Sequence, residues 1–121
     1  MAHAINWFEI PVSDINRAAK FYGAIFGAKM EPADMGGVTM AMFQVEQGEI
    51  GGALVKSEGY IPSTEGAVIY LNGGDDLSNV LNKVEAAGGK VAMPKTDIGE
   101  YGFIGFFTDT EGNKVGLHSM N

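Results

Sequence analysis

The sequence contains no cysteine and only two histidines, His3 and His118, among its 121 residues. The absence of cysteine excludes disulfide bonds, thiolate metal sites and cysteine nucleophiles, and the shortage of histidine excludes most histidine-rich metal centres. Basic residues are also few, because 8 Lys and Arg stand against 15 Asp and Glu. The resulting formal net charge of −7 repels phosphate backbones and anionic headgroups, so we expect neither nucleic acid nor a membrane surface as a partner.

Long apolar runs are missing as well. No run approaches the roughly 18 residues that a membrane-spanning helix needs, and the N-terminal residues lack the basic start and apolar stretch of a signal peptide. Together with the absence of cysteine, this pattern favours the cytoplasm. The composition, 45% hydrophobic and 19% charged, predicts one globular domain over residues 1–121.

What the sequence does contain is a repeat. From Ile15, apolar residues recur at i, i+3, i+4, i+7 and i+10, which is the pattern of an amphipathic helix, with Asp14 in the N-cap position and Gly27 as the stop. The same spacing starts again at Leu77, 62 positions later, and a glycine pair closes it. Strand-like runs surround both helices, so each half reads β-α-β-β-β.

Each half contains four predicted strands, and a short linker separates the halves. The strands are expected at 4–12, 28–32, 38–46 and 49–56, and at 67–72, 90–94, 102–108 and 113–119. Module one covers about residues 3–57, the linker 58–65, and module two about 66–119. A single half leaves a sheet face bare, so the halves must share a core or pair with a second copy. The sequence predicts an α+β fold of two tandem βαβββ modules that form a curved, mostly antiparallel sheet around a cavity.

Four phrases carry a resemblance to a known family. They are Phe8-Glu9-Ile10-Pro11-Val12-Ser13-Asp14, Arg17-Ala18-Ala19-Lys20-Phe21-Tyr22, Ile25-Phe26-Gly27 and Asp109-Thr110-Glu111-Gly112-Asn113-Lys114-Val115-Gly116-Leu117. The tandem repeat with these phrases resembles the vicinal-oxygen-chelate superfamily of glyoxalases, bleomycin resistance proteins and extradiol dioxygenases, and is most similar to its small glyoxalase-related members. The resemblance covers nearly the whole chain and implies a homodimer.

The resemblance also implies where a metal is held in the metalloenzymes of this superfamily: by His and Glu on the first and fourth strand of each module. In this sequence, those positions are occupied by Trp7, Gly52, Ile69 and Gly116. None of these side chains is a metal ligand. We therefore expect no cofactor, and a ligand cavity lined by these four residues and by Tyr101.

Strand alternation places two titratable groups on the concave side. Phe8 and Ile10 are expected to pack under the first helix, which leaves Trp7 and Glu9 on the other face. Glu9 could act as a general base or anchor a cationic ligand, or it could be a carboxylate satisfied by backbone amides or a lysine. His118 could act as a general acid, a general base or a lone ligand, or it could face solvent at a strand end.

Other candidates each have two interpretations. Trp7 could form a wall for a flat ligand, or its indole could fill the space of the missing metal. Tyr60 and Tyr101, on glycine-flanked segments, could fold over the cavity mouth or act only as packing. Met40 and Met42 could line an adaptable pocket or fill the core.

Three functions follow from these residues. The leading hypothesis is a protein that binds a small organic molecule in the concave cavity, as a binder or a metal-independent enzyme, with Glu9 and His118 as the catalytic candidates. The first alternative is a metalloenzyme resembling glyoxalase (lactoylglutathione lyase) or dioxygenase, in which a divalent metal uses a shifted set such as His118, Glu9 and another carboxylate. The second alternative is a resistance protein that sequesters a cationic drug.

Overall fold

Strands and helices alternate in the order that the repeat predicts. The computed structural model describes residues 3–121. Its elements are β1 (Trp7–Pro11), α1 (Ile15–Phe26), β2 (Pro32–Asp34), β3 (Thr39–Met42), β4 (Gly51–Lys56), β5 (Tyr70–Asn72), α2 (Ser78–Leu81), β6 (Lys90–Asp97), β7 (Phe103–Thr108) and β8 (Lys114–Ser119). The predicted α+β class and the two βαβββ modules are confirmed.

The two modules have the same sheet topology. The strand orders are β1-β4-β3-β2 and β5-β8-β7-β6, and in each sheet the first and last strand of the module pair in parallel while the other pairs are antiparallel. Trp7 lies opposite Gly51 in the first sheet, and Tyr70 lies opposite Gly116 in the second. Ile10 lies opposite Leu54 and Leu71 lies opposite Leu117, and these buried pairs make Glu9 and Tyr70 equivalent positions of the two modules.

Helix α1 begins and ends where its sequence predicts. The Asp14 side chain accepts a hydrogen bond from the Arg17 N–H at 3.0 Å, and Gly27 closes the helix at φ 62°, a backbone conformation that favours glycine. The buried face consists of the predicted apolar positions together with Phe21: Ile15, Ala18, Ala19, Phe21, Tyr22 and Ile25.

Helix α2 is shorter than predicted. Regular helix covers only Ser78–Leu81, and residues 82–88 continue as turns in which Lys83 and Gly88 donate to carbonyls three residues earlier. Such bonds belong to tighter 3-10 geometry. The N-cap residue, Leu77, has no side chain that accepts a hydrogen bond. The apolar stripe is nevertheless buried, since Val84 is fully enclosed.

One core joins the two modules. Phe21 of α1 lies with its ring centroid 5.7 Å from that of Phe107 on β7, and Tyr22 lies 6.1 Å from the same ring. Both helices pack on this side, so the opposite faces of the two sheets are left for a site. Along residues 3–121, none of the helices has the length and apolar character required to cross a bilayer.

A turn of module two also holds the start of α1. The Glu111 carboxylate accepts hydrogen bonds from the backbone N–H groups of Ser13 and Asp14 at 2.9 and 2.8 Å, and from the Arg17 guanidinium at 2.7 and 3.0 Å. Its side chain is 0% exposed. Burial raises the pKa of Glu111, but the bonds from Arg17, Asp14 and Ser13 outweigh it and hold the pKa at about 2, below the ordinary 4.5.

Next to this carboxylate, a buried polar network joins the same two modules. Asp109 accepts from the Tyr22 hydroxyl at 2.8 Å, and Asn113 donates to the Pro11 carbonyl at 2.7 Å. Burial and then the Asp109 charge raise the pKa of Tyr22 well above its ordinary value. All of these groups have partners, so the turn acts as a fixed brace between the modules.

Candidate functional site

The strand registers decide which residues share the face opposite the helices, here called the concave face. In module one, Trp7 and Glu9 of β1 lie on this face. In module two, Tyr70 lies beside Gly116 and Asn72 beside His118. The methionines Met40 and Met42 are opposite Val55 and Ala53, which places them on the concave face as well.

One of the expected cavity residues, Gly52, is on the helix side. A Cβ atom at Gly52 would run into the Phe8 ring, whereas Ile69 packs against the core and also lines the cavity that includes Glu9. Gly51 and Tyr70, the chain neighbours of Gly52 and Ile69, lie on the concave face. The face of Gly52 differs from the expected one because alignment of the two halves by their turns does not fix strand register, and a slip of one residue changes the face.

The positions that the resemblance assigns to metal ligands are Trp7, Gly52, Ile69 and Gly116. The two glycines and Ile69 offer no side-chain donor atom, and the indole N–H can only donate a hydrogen bond. Among the described residues 3–121, no three His, Asp or Glu side chains come close enough together to hold a metal ion. The donor set does not fit the metal centre that the resemblance implies.

Glu9 lies between two aromatic side chains. The Tyr60 hydroxyl donates to one carboxylate oxygen at 2.7 Å, and the Trp7 indole N–H donates to the other at 3.2 Å. The hydrogen bond to Glu9, together with its negative charge, raises the pKa of Tyr60. Trp7 is 43% exposed, so the indole forms an open wall and does not fill a closed second core. We refer to Trp7, Glu9 and Tyr60 as the Glu9 cluster.

Tyr60 reaches this cluster from the linker. Residues 57–69 contain no helix or strand, and the Ser63 N–H donates to the Asn113 side chain at 3.0 Å, which ties the linker to module two. A cavity of about 220 Å³ lies between the modules, and its walls include Glu9, Ile61, Glu65, Ile69 and Lys114. The linker thus forms one side of a small cleft that begins at Glu9.

His118 is held by the turn before β7. Its Nε2 atom lies 2.7 Å from the Tyr101 carbonyl oxygen. A carbonyl oxygen only accepts, so Nε2 carries the hydrogen and Nδ1 is the nitrogen left to accept a proton. The Tyr101 side chain itself is 70% exposed. Tyr101 therefore orients His118 through its backbone, while its ring remains at the surface.

An aromatic pair next to His118 was not singled out in the sequence. The Tyr70 and Phe106 rings are 5.5 Å apart, and the Lys114 ammonium lies 5.0 Å from the Phe106 centroid. A Cβ atom at Gly116 would lie 2.6 Å from the Tyr70 ring, so glycine makes room for this ring. The available sequence signal for this pair was the position of Phe106 between two buried residues of β7.

The structure assembles the candidates into two groups. Glu9 of module one bonds to Trp7 and to Tyr60 of the linker, and His118 of module two bonds to the Tyr101 carbonyl. In the described part of the chain, no hydrogen bond links Glu9 to His118: the partners of Glu9 are Trp7 and Tyr60, and that of His118 is the Tyr101 carbonyl.

Several known proteins are similar to this chain in sequence. A family model described as the Glyoxalase/Bleomycin resistance protein/Dioxygenase superfamily matches residues 4–117. The Mycobacterium tuberculosis protein named "Putative glyoxylase CFP32" is 35% identical over 96% of this chain and 45% of that protein. A glyoxylase-like domain-containing protein of Didymella fabae is 34% identical over 90% of this chain and 88% of its own. The chain spans about half the length of the mycobacterial relatives.

Solved structures have the same fold at lower sequence identity. Glyoxalase I from Zea mays superimposes with a TM-score of 0.67 at 23% identity, over 94% of this chain and 43% of that chain. A glyoxalase/bleomycin resistance protein from Albidiferax ferrireducens superimposes with a TM-score of 0.69 at 14% identity, over 98% and 100% of the two chains. At these identities, the likeness concerns the fold.

Proposed function

Because this chain belongs to the glyoxalase/bleomycin resistance protein/dioxygenase superfamily, we propose that it uses the concave face of that fold to bind a small organic molecule through its own side chains. One observation carries the proposal: the positions that the resemblance assigns to metal ligands hold Trp7, Gly52, Ile69 and Gly116, while the Glu9 cluster lies beside them. The fold is kept and the metal donors are replaced. Binding then depends on aromatic contact and hydrogen bonds.

The two groups on the concave face have different roles in this proposal. Trp7 provides a flat wall, and Glu9 provides an anionic anchor beside it. His118 presents Nδ1, because Nε2 is bonded to the Tyr101 carbonyl. If the bound molecule is also converted, Glu9 and His118 are the residues that accept and return a proton. Such an enzyme would be metal-independent.

The chain offers a direct test, because Trp7 is its single tryptophan. We expect small aromatic fragments to change the Trp7 fluorescence and to shift amide resonances of Glu9, Gly51 and Gly116 in an NMR titration. Resonances of Lys83 and Glu85, on the helix side, serve as the internal control. Fragments that shift only helix-side resonances, or none, would contradict the proposal.

A second candidate is a glyoxalase-like lyase, which the 35% identity to a protein named as a glyoxylase favours. This candidate requires a divalent metal on a shifted set that includes His118 and Glu9. It predicts that activity on an adduct of a ketoaldehyde and a thiol rises when metal is added and is lost in His118→Ala. Activity that metal and chelator leave unchanged would reject it, and so would its absence under all conditions.

We also propose that two copies associate. Trp7, Met42, Val45 and Tyr70 are exposed apolar side chains on or beside the concave face, and such patches mark contact surfaces. A second copy seated along Met42 and Val45 would close the open side and leave the Glu9 cluster inside. Light scattering should give twice the chain mass of 12.8 kDa. The mass of a single chain at micromolar concentration would reject the dimer. The compartment we propose is the cytoplasm, which cell fractionation tests.

A further inference from the structure

Glu9 is a carboxylate without a cationic partner. Between residues 3 and 121, the ion pairs are Arg17 with Glu111, Lys29 with Glu31, and Lys95 with Asp76. Glu9 instead receives one neutral O–H and one neutral N–H. Its negative charge is thus solvated by dipoles and not balanced by a positive side chain.

The two donors are aromatic and both remain partly open. Trp7 is 43% and Tyr60 is 40% exposed, and both are held at the carboxylate by their hydrogen bonds. Both bonds reach Glu9 from the N–H or O–H edge of a ring, so the carboxylate lies at the ring edges and not over the faces. The attraction for a positive group comes from the unbalanced charge of Glu9, and the open rings offer apolar contact to the body of a ligand.

The charge around the cluster has the same sign. The adjoining cavity has two carboxylates in its walls, Glu9 and Glu65, against one ammonium, that of Lys114. This ammonium lies 5.0 Å from the Phe106 centroid in module two. The net charge of −7 adds a long-range attraction for cations. An anionic ligand would face these carboxylates.

From this arrangement we infer that the ligand of the concave face is a small organic cation, an ammonium group on an apolar body, with the ammonium at Glu9 between Trp7 and Tyr60. The inference rests on the proposed function, since it names the ligand class of the same face. The apolar body extends toward Ile61 and Ile69 in the cavity of about 220 Å³, which has room for a ligand of few heavy atoms.

The experiment compares two soluble probes of similar shape, benzylammonium and benzyl alcohol, by Trp7 fluorescence and by NMR titration. We expect benzylammonium to bind at least about tenfold more tightly to the wild type. Glu9→Gln keeps an oxygen that accepts a hydrogen bond but removes the charge. This variant should bind benzylammonium about tenfold more weakly than the wild type and should bind benzyl alcohol with unchanged affinity. Glu85→Gln changes the net charge equally at an exposed site on the helix side and serves as the matched control.

The outcomes separate the two claims. Equal binding of both probes, or equal weakening of benzylammonium by Glu9→Gln and Glu85→Gln, would overturn the cation inference and leave small-molecule binding standing. If neither probe perturbs concave-face resonances in the wild type, both the inference and the proposed function fail for this ligand size. Tyr60→Phe frees one oxygen of Glu9, and it should maintain or increase benzylammonium affinity. A loss in this variant would also count against the cation site.

Discussion

The two modules have the same topology and differ in the length of their helices. Helix α1 has a side-chain cap from Asp14, a second carboxylate from Glu111 and a glycine stop, and it extends over 12 residues. Helix α2 begins at Ser78, and side-chain oxygens of Asp76 and Ser119 accept hydrogen bonds from the Ser78 and Leu77 N–H groups at 2.9 Å, yet it extends over only 4 residues. Both helices bury the same apolar pattern. Apolar spacing therefore fixes where a helical segment packs, and it does not fix how much regular helix forms.

The concave faces also differ. Glu9 and Tyr70 are equivalent in register, because Ile10 pairs with Leu54 and Leu71 pairs with Leu117. Module one therefore presents a carboxylate where module two presents a phenol, and module two adds His118 one strand away. The duplicated frame holds two chemically different halves of one face, and the anionic half is the one that we propose binds ligand charge.

The largest effect is expected from the brace that only α1 has. Glu111→Ala removes the acceptor of two backbone N–H groups and leaves Arg17 without its partner. We expect the free energy of unfolding to fall by about 3 kcal/mol in urea denaturation. Gln47→Ala, at the matching turn position of module one, should change it by less than about 0.5 kcal/mol. Equal effects would mean that the modules are braced alike.

Acid should weaken the same brace. The pKa of Glu111 is about 2 in the fold against an ordinary 4.5. A lowered pKa contributes stability that is complete above 4.5 and is lost as the pH falls from there toward 2. Thermal unfolding of wild type and Glu111→Gln between pH 7 and pH 2 measures this. The difference between the two proteins should shrink on acidification, and a constant difference would contradict the role of the carboxylate.

The assignment of faces in β4 gives a smaller effect. Gly52→Ala drives its Cβ into the Phe8 ring on the helix side, so we expect a loss of about 2 kcal/mol. In Gly51→Ala, the new Cβ would lie 3.0 Å from a Val45 methyl and 3.6 Å from the Trp7 ring on the concave face. A small shift of these exposed side chains relieves the close contact. Denaturation of both variants tests the register. If Gly51→Ala proved less stable than Gly52→Ala, Gly52 would be the residue on the concave face.

The smallest effect concerns one hydrogen bond. Tyr22→Phe removes the donor to Asp109 and should lower the free energy of unfolding by about 1–2 kcal/mol. Tyr101→Phe is the control, because that ring is mostly exposed and should cost less than about 0.5 kcal/mol. An unchanged free energy of unfolding in Tyr22→Phe would indicate that another donor bonds to Asp109 in the variant.

The sequence predicted what depends on local chemistry. Asp14 and Gly27 bound α1 because cap and stop act on neighbouring backbone. The α2 segment was predicted too long, because spacing reports burial and not bond type. Gly52 was assigned to the wrong face, since register follows from strand pairing across the sheet.

The contacts that define the site join residues that are distant in the chain. Tyr60 and Glu9 are 51 positions apart, and Asp14 and Glu111 are 97 apart. No periodic pattern encodes such pairs. Glu9 and Trp7 were nevertheless identified on the concave face, because alternation along β1 is a local property.

The central claim is that the concave face binds its ligand through the Glu9 cluster without a metal. The most direct measurement is a Trp7 fluorescence titration with benzylammonium, carried out on chelator-treated protein and again with added zinc, manganese or nickel. The account predicts one saturation curve under all conditions, and a weaker one for Glu9→Gln. A response that appears only after metal is added would contradict it.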